Sequence, residues 1–294
     1  MIGRGSRIGV LGSRRLTVIL SAGRCGTQWL ADTLLSIYTQ SVEVQHEPLG
    51  PLYAPRRYFR RYDHPEAVLD VPEVRRHVER IGALERYVET GWPLFGALPL
   101  LAERFADRLR VVHLTRHPVP NALSHLAHSS YAGSARDDAY TRLATLGPDD
   151  PNVFQPQYAK RWDRLSPYEK CLFWWTEVHL FGLEFQRRYP RIPFLRVKSE
   201  DMLAGDPDVL DELAGHMGLP PDERWKDHVT RRVDRWNHRT DRDFDPFELR
   251  DHPATIDLAR RLGYCEDDVD VEALRARYSG RPHAGADRVG RFSS

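Results

Sequence analysis

The amino-acid sequence predicts an α/β fold in which a mostly parallel central sheet is covered by helices on both faces. Short apolar runs typical of buried strands occur at 16–20, 42–45, 110–115 and 194–198. Helical patterns lie between and after these runs. Strands that alternate with helices pair in parallel, and their sheet needs a helical layer on each face.

The first strand leads into a glycine turn and then a helix. Residues 21–35 read SAGRCGTQWLADTLL, directly after the apolar run LTVIL. Leu30, Leu34 and Ile37 recur at helical spacing, so they predict one apolar face that packs on the sheet.

Two helices flank the third strand. Residues 96–108, GALPLLAERFADR, give a helical pattern that leads into it. After the strand, Pro118 suits the first position of a helix that continues to His128, because proline needs no donor there.

The clearest helix start in the sequence is SPYE. Ser166 is the predicted N-cap, Pro167 the first helical residue and Glu169 the reciprocal capping partner. The stretch 171–185 is apolar nearly all round, which predicts a buried helix. A last helix is predicted near 207–217, before Gly-Leu-Pro.

These elements predict one domain over residues 15–278. Segments near 50–93 and 131–165, rich in Tyr, Arg, Pro and Asp, are interpreted as insertions. Residues 1–14 are expected to be a flexible N-terminus, and 279–294 a disordered tail that does not pack. The sequence leaves a homodimer open as an option.

The net charge bears on whether the protein binds nucleic acid, and the cysteine content bears on the cellular compartment in which it works. The 294 residues hold 43 Lys and Arg against 42 Asp and Glu, a formal net charge of +1. No global basic field is present to recruit nucleic acid, so an anion site must be local. Cys25, Cys171 and Cys265 lie far apart and form no disulfide framework, which favours a reducing, cytoplasmic location.

Metal and membrane signals are weak. The pairs His125 with His128, and His113 with His117, come with no further ligands at useful spacing, so no metal site is expected. No apolar stretch reaches the ~20 residues that a transmembrane helix needs, and the N-terminus has no adequate apolar core for a signal peptide.

The glycine turn predicts an anion site. Amide groups at the start of a helix, together with the helix dipole, favour a bound anion. Gly23 and Gly26 permit close backbone approach, Thr27 offers a hydroxyl, and Arg24 adds a fixed positive charge. The lysine of a nucleotide P-loop is absent, as is G-x-G-x-x-G. A plain strand-to-helix turn is the alternative.

A second candidate anion-binding site follows the third strand. Arg116 lies at the strand exit, and Ser124 lies eight residues later on the next helix. An arginine and a hydroxyl so placed can hold one phosphate from two sides. The alternative is that Arg116 pairs with a carboxylate.

These segments, in this order, resemble the sulfotransferases that use 3′-phosphoadenosine 5′-phosphosulfate (PAPS), in motif style the carbohydrate-type and bacterial soluble members. The family's first motif, [KR]-S-G-T-[TS]-[WF]-L, is matched here by Arg24, Cys25, Gly26, Thr27, Gln28, Trp29 and Leu30. Its second motif, an arginine and a serine eight apart, is matched by Arg116 and Ser124. A third stretch, LRVKSEDMLAGDPDVLDELAGHMGLP, is similar to a late family segment. The resemblance spans about residues 16–265.

The resemblance implies a P-loop-like sulfotransferase fold, PAPS as co-substrate, PAP as product, and no metal. It implies that Gly23 and the first-motif residues grip the 5′-phosphosulfate, and that the second motif binds the 3′-phosphate. Three positions depart from the family pattern: Cys25 replaces serine, Gln28 replaces threonine or serine, and Ser199 replaces the tyrosine of Tyr-Glu-Asp. Ser199 stays in the predicted cofactor-binding set.

The exit of the second strand supplies the candidate bases. The sequence VEVQHEPLGP places His46 and Glu47 there. In carbohydrate-type and protein-tyrosine-type relatives, a glutamate at this place, often followed by proline, looks like the general base, so the resemblance favours Glu47-Pro48. His46 is the second candidate for the base. The alternative for Glu47 is that it is an exposed carboxylate in a loop, without a catalytic role. Arg239 or Asn237, in 231–244, are further candidates to reach the phosphosulfate.

The predicted function is sulfuryl transfer from PAPS to a hydroxyl on a carbohydrate, glycolipid or small molecule. The catalytic residues would be Glu47, Arg24 and His46. Two alternatives remain at this point: a nucleotide kinase of related topology, and a catalytically idle nucleotide-binding scaffold.

Overall fold

The protein is described by a computed structural model that covers residues 14–133, 143–229, 239–265 and 268–280. Most of the predicted flexible start and tail, 1–13 and 281–294, lies outside the described residues. Asn237 and most of the predicted closing segment lie outside them as well.

The described residues form an α/β structure around a five-stranded, all-parallel sheet, which confirms the predicted fold class. The strands are β1 (Arg15–Leu20), β2 (Glu43–Gln45), β3 (Arg86–Glu89), β4 (Leu109–Thr115) and β5 (Phe194–Lys198). Their order in the sheet is β2-β3-β1-β4-β5. All four strands predicted from the sequence are present, with bounds that agree to about one residue.

The strand β3 was not predicted, and it lies within 50–93, a range interpreted as an insertion. It pairs with both β1 and β2, so this part of the range belongs to the sheet. Its sequence, RYVE, is short and ends in Glu89, whose side chain is fully buried. The Tyr53 hydroxyl (2.5 Å) and His77 Nε2 (2.9 Å) bond to that carboxylate. The buried carboxylate is tolerated because it is hydrogen-bonded, but a glutamate interrupts the apolar run by which a buried strand is predicted.

Helices cover both faces of the sheet. They are α1 (Thr27–Tyr38), α2 (Pro55–Tyr58), α3 (Pro72–Ala83), α4 (Leu98–Phe105), α5 (Pro118–Ala127), α6 (Pro167–Arg188), α7 (Ser199–Ala204), α8 (Pro207–Met217), α9 (Trp225–Val229), α10 (Pro253–Arg261) and α11 (Val271–Tyr278). Among the described residues, none of these helices has both the length and the apolar composition that crossing a membrane requires.

Alternate side chains of β1 enter two separate hydrophobic layers. Ile19 packs with α1, α8 and α9 on one face. Val18 and Leu20 pack with α3, α4 and α6 on the other. The helix α5 lies against α6, on the side of the sheet opposite α1.

The helix α6 begins with the predicted capping box. The Ser166 hydroxyl accepts from the Glu169 N–H (3.2 Å), and the Glu169 carboxylate accepts from the Ser166 N–H (2.7 Å). In mid-helix, the fully buried Glu177 accepts from the Phe154 N–H (2.8 Å) and the Gln155 side-chain amide (3.2 Å). Glu177 therefore ties the chain around residues 154–155 to the buried helix.

We expect Glu177 to make folding stability depend on pH. Burial raises its pKa from 4.5 to about 7. Its contribution to stability is therefore complete below the unfolded-state pKa and is lost as the pH rises through about 7. Relative to Glu177→Gln, the wild type should lose about 2 kcal/mol between about pH 5 and about pH 8.

Urea unfolding of both proteins at the two pH values measures this difference. Histidines of lowered pKa shift both proteins equally, and the packing cost of the amide cancels because it is the same at both pH values. A difference between the two proteins that stays constant with pH would contradict the raised pKa.

Candidate functional site

The loop between β1 and α1 has an unusual backbone. Gly23, Arg24 and Gly26 adopt φ values of 79°, 56° and 84°. This left-handed region is open to glycine but costs a residue with a side chain roughly 1 kcal/mol or more. The surrounding structure must therefore hold Arg24 in place, and strained residues of this kind are concentrated at functional sites.

Three buried donors from the opposite helical layer fix the loop. The Ala22 carbonyl accepts from Trp174 Nε1 and from His125 Nε2, each at 2.8 Å. The Gly23 carbonyl accepts from Asn121 Nδ2 at 2.8 Å. These bonds turn the carbonyl oxygens of the loop towards α5 and α6.

The N-terminus of α1 carries no built-in counter-charge. Gly26 is the N-cap, no side chain caps the helix, and its first turn holds no acidic residue. The N–H groups of a helix's first turn have no acceptor within the helix. Together with the helix dipole, they make this end of α1 a place that favours an anion.

Arg24, Arg116 and Ser124 meet beside this helix end. Arg116 Nη1 donates to the Arg24 carbonyl at 2.9 Å. Arg24 Nε donates to the Ser124 hydroxyl at 3.1 Å. The cause is topological, because β1 and β4 are neighbours in the sheet and both run in the same direction.

The alternative role for Arg116 was a structural ion pair with a carboxylate. Across the ranges that the structure describes, its guanidinium forms no ion pair with a carboxylate, and its hydrogen bond goes to a backbone carbonyl. Among the described residues, no direct ion pair occupies the Arg116 guanidinium at the exit of β4.

Two side chains of the first motif point into the protein. The Cys25 thiol donates to the Gly23 carbonyl (3.0 Å), and burial raises its pKa to about 12, so it stays a thiol. The Trp29 indole donates to the His228 carbonyl (2.9 Å) and packs on Trp225. Only the backbone of Cys25 and Trp29 is therefore available to a ligand. Their neighbours Thr27, buried, and Gln28, half-buried, open α1.

Ser199 and Arg239 are the remaining residues of the predicted cofactor-binding set. Ser199 is buried at the start of α7, where its hydroxyl lies 3.4 Å from Glu200 Oε2. Arg239 is exposed. Within the described part of the chain, neither forms a hydrogen bond or ion pair with Arg24 or Arg116.

The second-strand exit presents Glu47 and His46, as predicted. Glu47 has a φ of 46°, a second left-handed residue with a side chain. Its Oε1 lies 3.9 Å from His46 Nε2. Burial raises the pKa of Glu47, while the charges of His46 and Arg24 lower it in part. The carboxylate is thus half-buried and electrostatically linked to the glycine loop.

Sequence reasoning missed Gly91 and Trp92, which follow β3. A Cβ on Gly91 would lie 2.8 Å from Glu47 Cγ, and the ring of Trp92 lies 3.1 Å from the position of a Cβ on Gly23. Trp92 also packs edge-on against Trp174, with centroids 5.3 Å apart. Gly91 and Trp92 could be placed near the site only if β3 were predicted, and its sequence lacks a clear apolar run.

No group of three or more potential metal ligands occurs among the residues that the structure describes. The described residues at this place are a helix N-terminus, two arginines, a serine hydroxyl and a half-buried carboxylate. Such a set can hold a polyanion and accept a proton from a neighbouring group.

No family model matches the chain, and no curated protein sequence matches it. Similar solved structures include a sulfotransferase from Alicyclobacillus acidocaldarius, with 16% identity and a TM-score of 0.48, covering 89% of this chain and 99% of that one. Mouse sulfotransferase SULT7A1 complexed with PAP has 14% identity and a TM-score of 0.46, covering 89% and 88%. A sulfotransferase domain from the curacin biosynthetic pathway has 14% identity and a TM-score of 0.46, covering 86% and 99%.

Proposed function

We propose that this chain transfers a sulfuryl group from PAPS to an acceptor hydroxyl and releases PAP. The observation that carries the proposal is the meeting of Arg24, Arg116 and Ser124 at the N-terminus of α1. The two arginines lie next to each other, and within the described part of the chain Arg116 forms no ion pair with a carboxylate. This arrangement suits a donor that carries phosphate groups at two positions.

The topology supports a ligand at this place. After β1 the chain crosses to β2 on one side, and after β4 it crosses to β5 on the other. In open parallel sheets, ligands bind beyond the carboxyl ends of the strands at such a switch point. The loop after β1 and Arg116 after β4 line this crevice.

The proposed division of labour follows the motif resemblance. The loop amides and Arg24 would hold the 5′-phosphosulfate, and Arg116 with Ser124 would hold the 3′-phosphate. In the reaction, the acceptor oxygen forms a bond to sulfur while the bond from sulfur to the 5′-phosphate oxygen breaks. Arg24 would stabilise the charge that develops on the transferred group and on the leaving oxygen.

Glu47 is the proposed general base that takes the acceptor proton. Its carboxylate interacts electrostatically with Arg24, and burial raises its pKa towards the range in which a base is effective. The acceptor would be a hydroxyl-bearing carbohydrate, glycolipid or small molecule. Nucleic acid is not proposed, since the net charge is only +1.

The direct test uses the wild-type protein. PAP should raise Tm strongly and ATP much less, and sulfur-35 from labelled PAPS should appear in a product when a panel of sugars, glycolipids and phenols is supplied. Phosphate transfer from ATP in the same panel would instead support a kinase. Stabilisation by PAP without transfer to any acceptor would support an idle scaffold and overturn the enzymatic proposal.

Arg24→Ala should lower turnover more than it lowers affinity for PAP. The sulfuryl group is absent from PAP, so an arginine that acts on that group matters little to product binding. We expect the loss in kcat to exceed the loss in PAP affinity by at least about tenfold. Single-turnover rates and PAP titration measure the two quantities, with Arg24→Lys as the charge-retaining control. Equal losses would show that Arg24 is a phosphate or structural contact.

A further inference from the structure

The three residues after β3 enclose the pair His46 and Glu47 from one side. The Thr90 N–H donates to the Gln45 carbonyl at 2.9 Å, so the exits of β2 and β3 are held together. His46 Nδ1 faces both the carbonyl oxygen and the hydroxyl of Thr90, the hydroxyl at 3.1 Å. His46 is thereby oriented with Nε2 towards Glu47.

Gly91 is the point of closest approach to Glu47. A Cβ there would lie 2.8 Å from Glu47 Cγ and 3.1 Å from both its Cα and its N. The backbone of Gly91, at φ −153°, is accessible to any residue. The glycine is therefore required by space and not by conformation, because a methyl group would occupy the volume that Glu47 fills.

Trp92 completes the enclosure. Its backbone N–H lowers the pKa of the Glu47 carboxyl slightly against the larger effect of burial. Its ring rests against Gly23 and Trp174, both of which belong to the arginine loop or its support. Trp92 therefore links the position of the carboxylate to that of the loop.

The backbone of Glu47 needs such support. Its φ of 46° is unfavourable for a residue with a side chain, and the conformation persists only where neighbouring contacts impose it. We propose that Thr90, Gly91 and Trp92 form a positioning element that fixes the Glu47 carboxylate, with the missing side chain of Gly91 as its essential feature. This inference rests on the proposed role of Glu47 as the base.

Gly91→Ala should therefore lower kcat roughly tenfold or more, because a small displacement of a reacting group is costly. The PAP-induced rise in Tm should be unchanged. Moving the carboxylate out towards solvent removes part of its burial, so the acidic limb of the pH–rate profile should shift to lower pH. The charged groups that act on Glu47, namely His46, Arg24 and Glu89, stay in place.

Gly215→Ala is the matched control. Gly215 lies within α8, where a Cβ would meet nothing within 4 Å. The same substitution should leave kcat and its pH profile unchanged and raise Tm slightly, because alanine favours the helix.

A double-mutant cycle gives a readout that needs no activity. Gly91→Ala should lower Tm by a few degrees in the wild type and by clearly less in a Glu47→Gly background, where the 2.8 Å contact with Cγ is gone and only the 3.1 Å contacts with Cα and N remain. Equal losses of Tm in both backgrounds, or a Gly91→Ala enzyme with unchanged kcat and pH profile, would overturn the inference. Full activity in Glu47→Gln would instead overturn the base assignment, whatever Gly91→Ala does.

Discussion

Glu47→Gln should lower kcat by at least about 10²-fold while PAP still raises Tm as in the wild type. The amide keeps the shape of the side chain but cannot take the proton of an acceptor hydroxyl. The residues proposed to bind PAPS and PAP are Arg24, Arg116 and Ser124. Their hydrogen bonds to one another do not include the Glu47 side chain. Steady-state sulfuryl transfer and PAP-dependent thermal unfolding measure the two effects.

The raised pKa of Glu47 also predicts the direction in which activity changes with pH. Glu47 acts as a base only when ionised, and burial raises its pKa, so wild-type kcat/KM should fall as the pH drops through that raised pKa. The glutamine variant should lack this limb. Its Tm near neutral pH should equal or exceed that of the wild type, because a carboxyl with a raised pKa loses stability as it ionises.

Glu43→Gln is the matched control for this experiment. Glu43 lies in β2, four residues before Glu47, is partly exposed and pairs with Arg80. Its replacement should leave kcat near the wild-type value. Full activity in Glu47→Gln would move the role of base to His46, which the corresponding His46→Gln variant would then reveal.

Arg116→Ala should abolish the PAP-induced rise in Tm at concentrations that saturate the wild type. Hydrogen bonds to charged groups are worth about 1.5–3 kcal/mol each, and a guanidinium can make two with one phosphate. Affinity should therefore fall by about 10²-fold or more. Calorimetric titration with PAP measures the loss.

Arg110→Ala is the control, because Arg110 lies near the opposite end of the same strand, far from the crevice. Its PAP affinity should match the wild type. Arg116→Lys should fall between the two, since lysine keeps the charge without the planar pair of donors. An unchanged PAP response in Arg116→Ala would remove the second anion-binding site from the proposal.

The central architecture could be predicted because its strands follow simple rules. The runs at β1 and β4 are buried on both faces along most of their length, as a sheet covered on both sides demands. The strand β3 was not predicted because it contains Glu89, whose buried carboxylate accepts hydrogen bonds from Tyr87 of the same strand and from Tyr53 and His77 of other elements. No local pattern reports a partner that is supplied by the tertiary structure.

The site could be predicted in part for the same reason. The proximity of Arg24 and Arg116 follows from parallel strands ending at one edge of the sheet. The inward orientation of Trp29 and Cys25 depends on the rotational setting of α1, which motif spacing leaves undetermined. The enclosure of Glu47 by Gly91 depends on a strand that had not been recognised.

The crevice lies between two separate hydrophobic clusters, since α1 belongs to one and α5 to the other. An anion held by the first turn of α1 and by Arg116 would touch both. Local opening that parts the clusters would then have to expel the bound nucleotide first, so occupancy would restrain fluctuations across the whole molecule and not only in the loop.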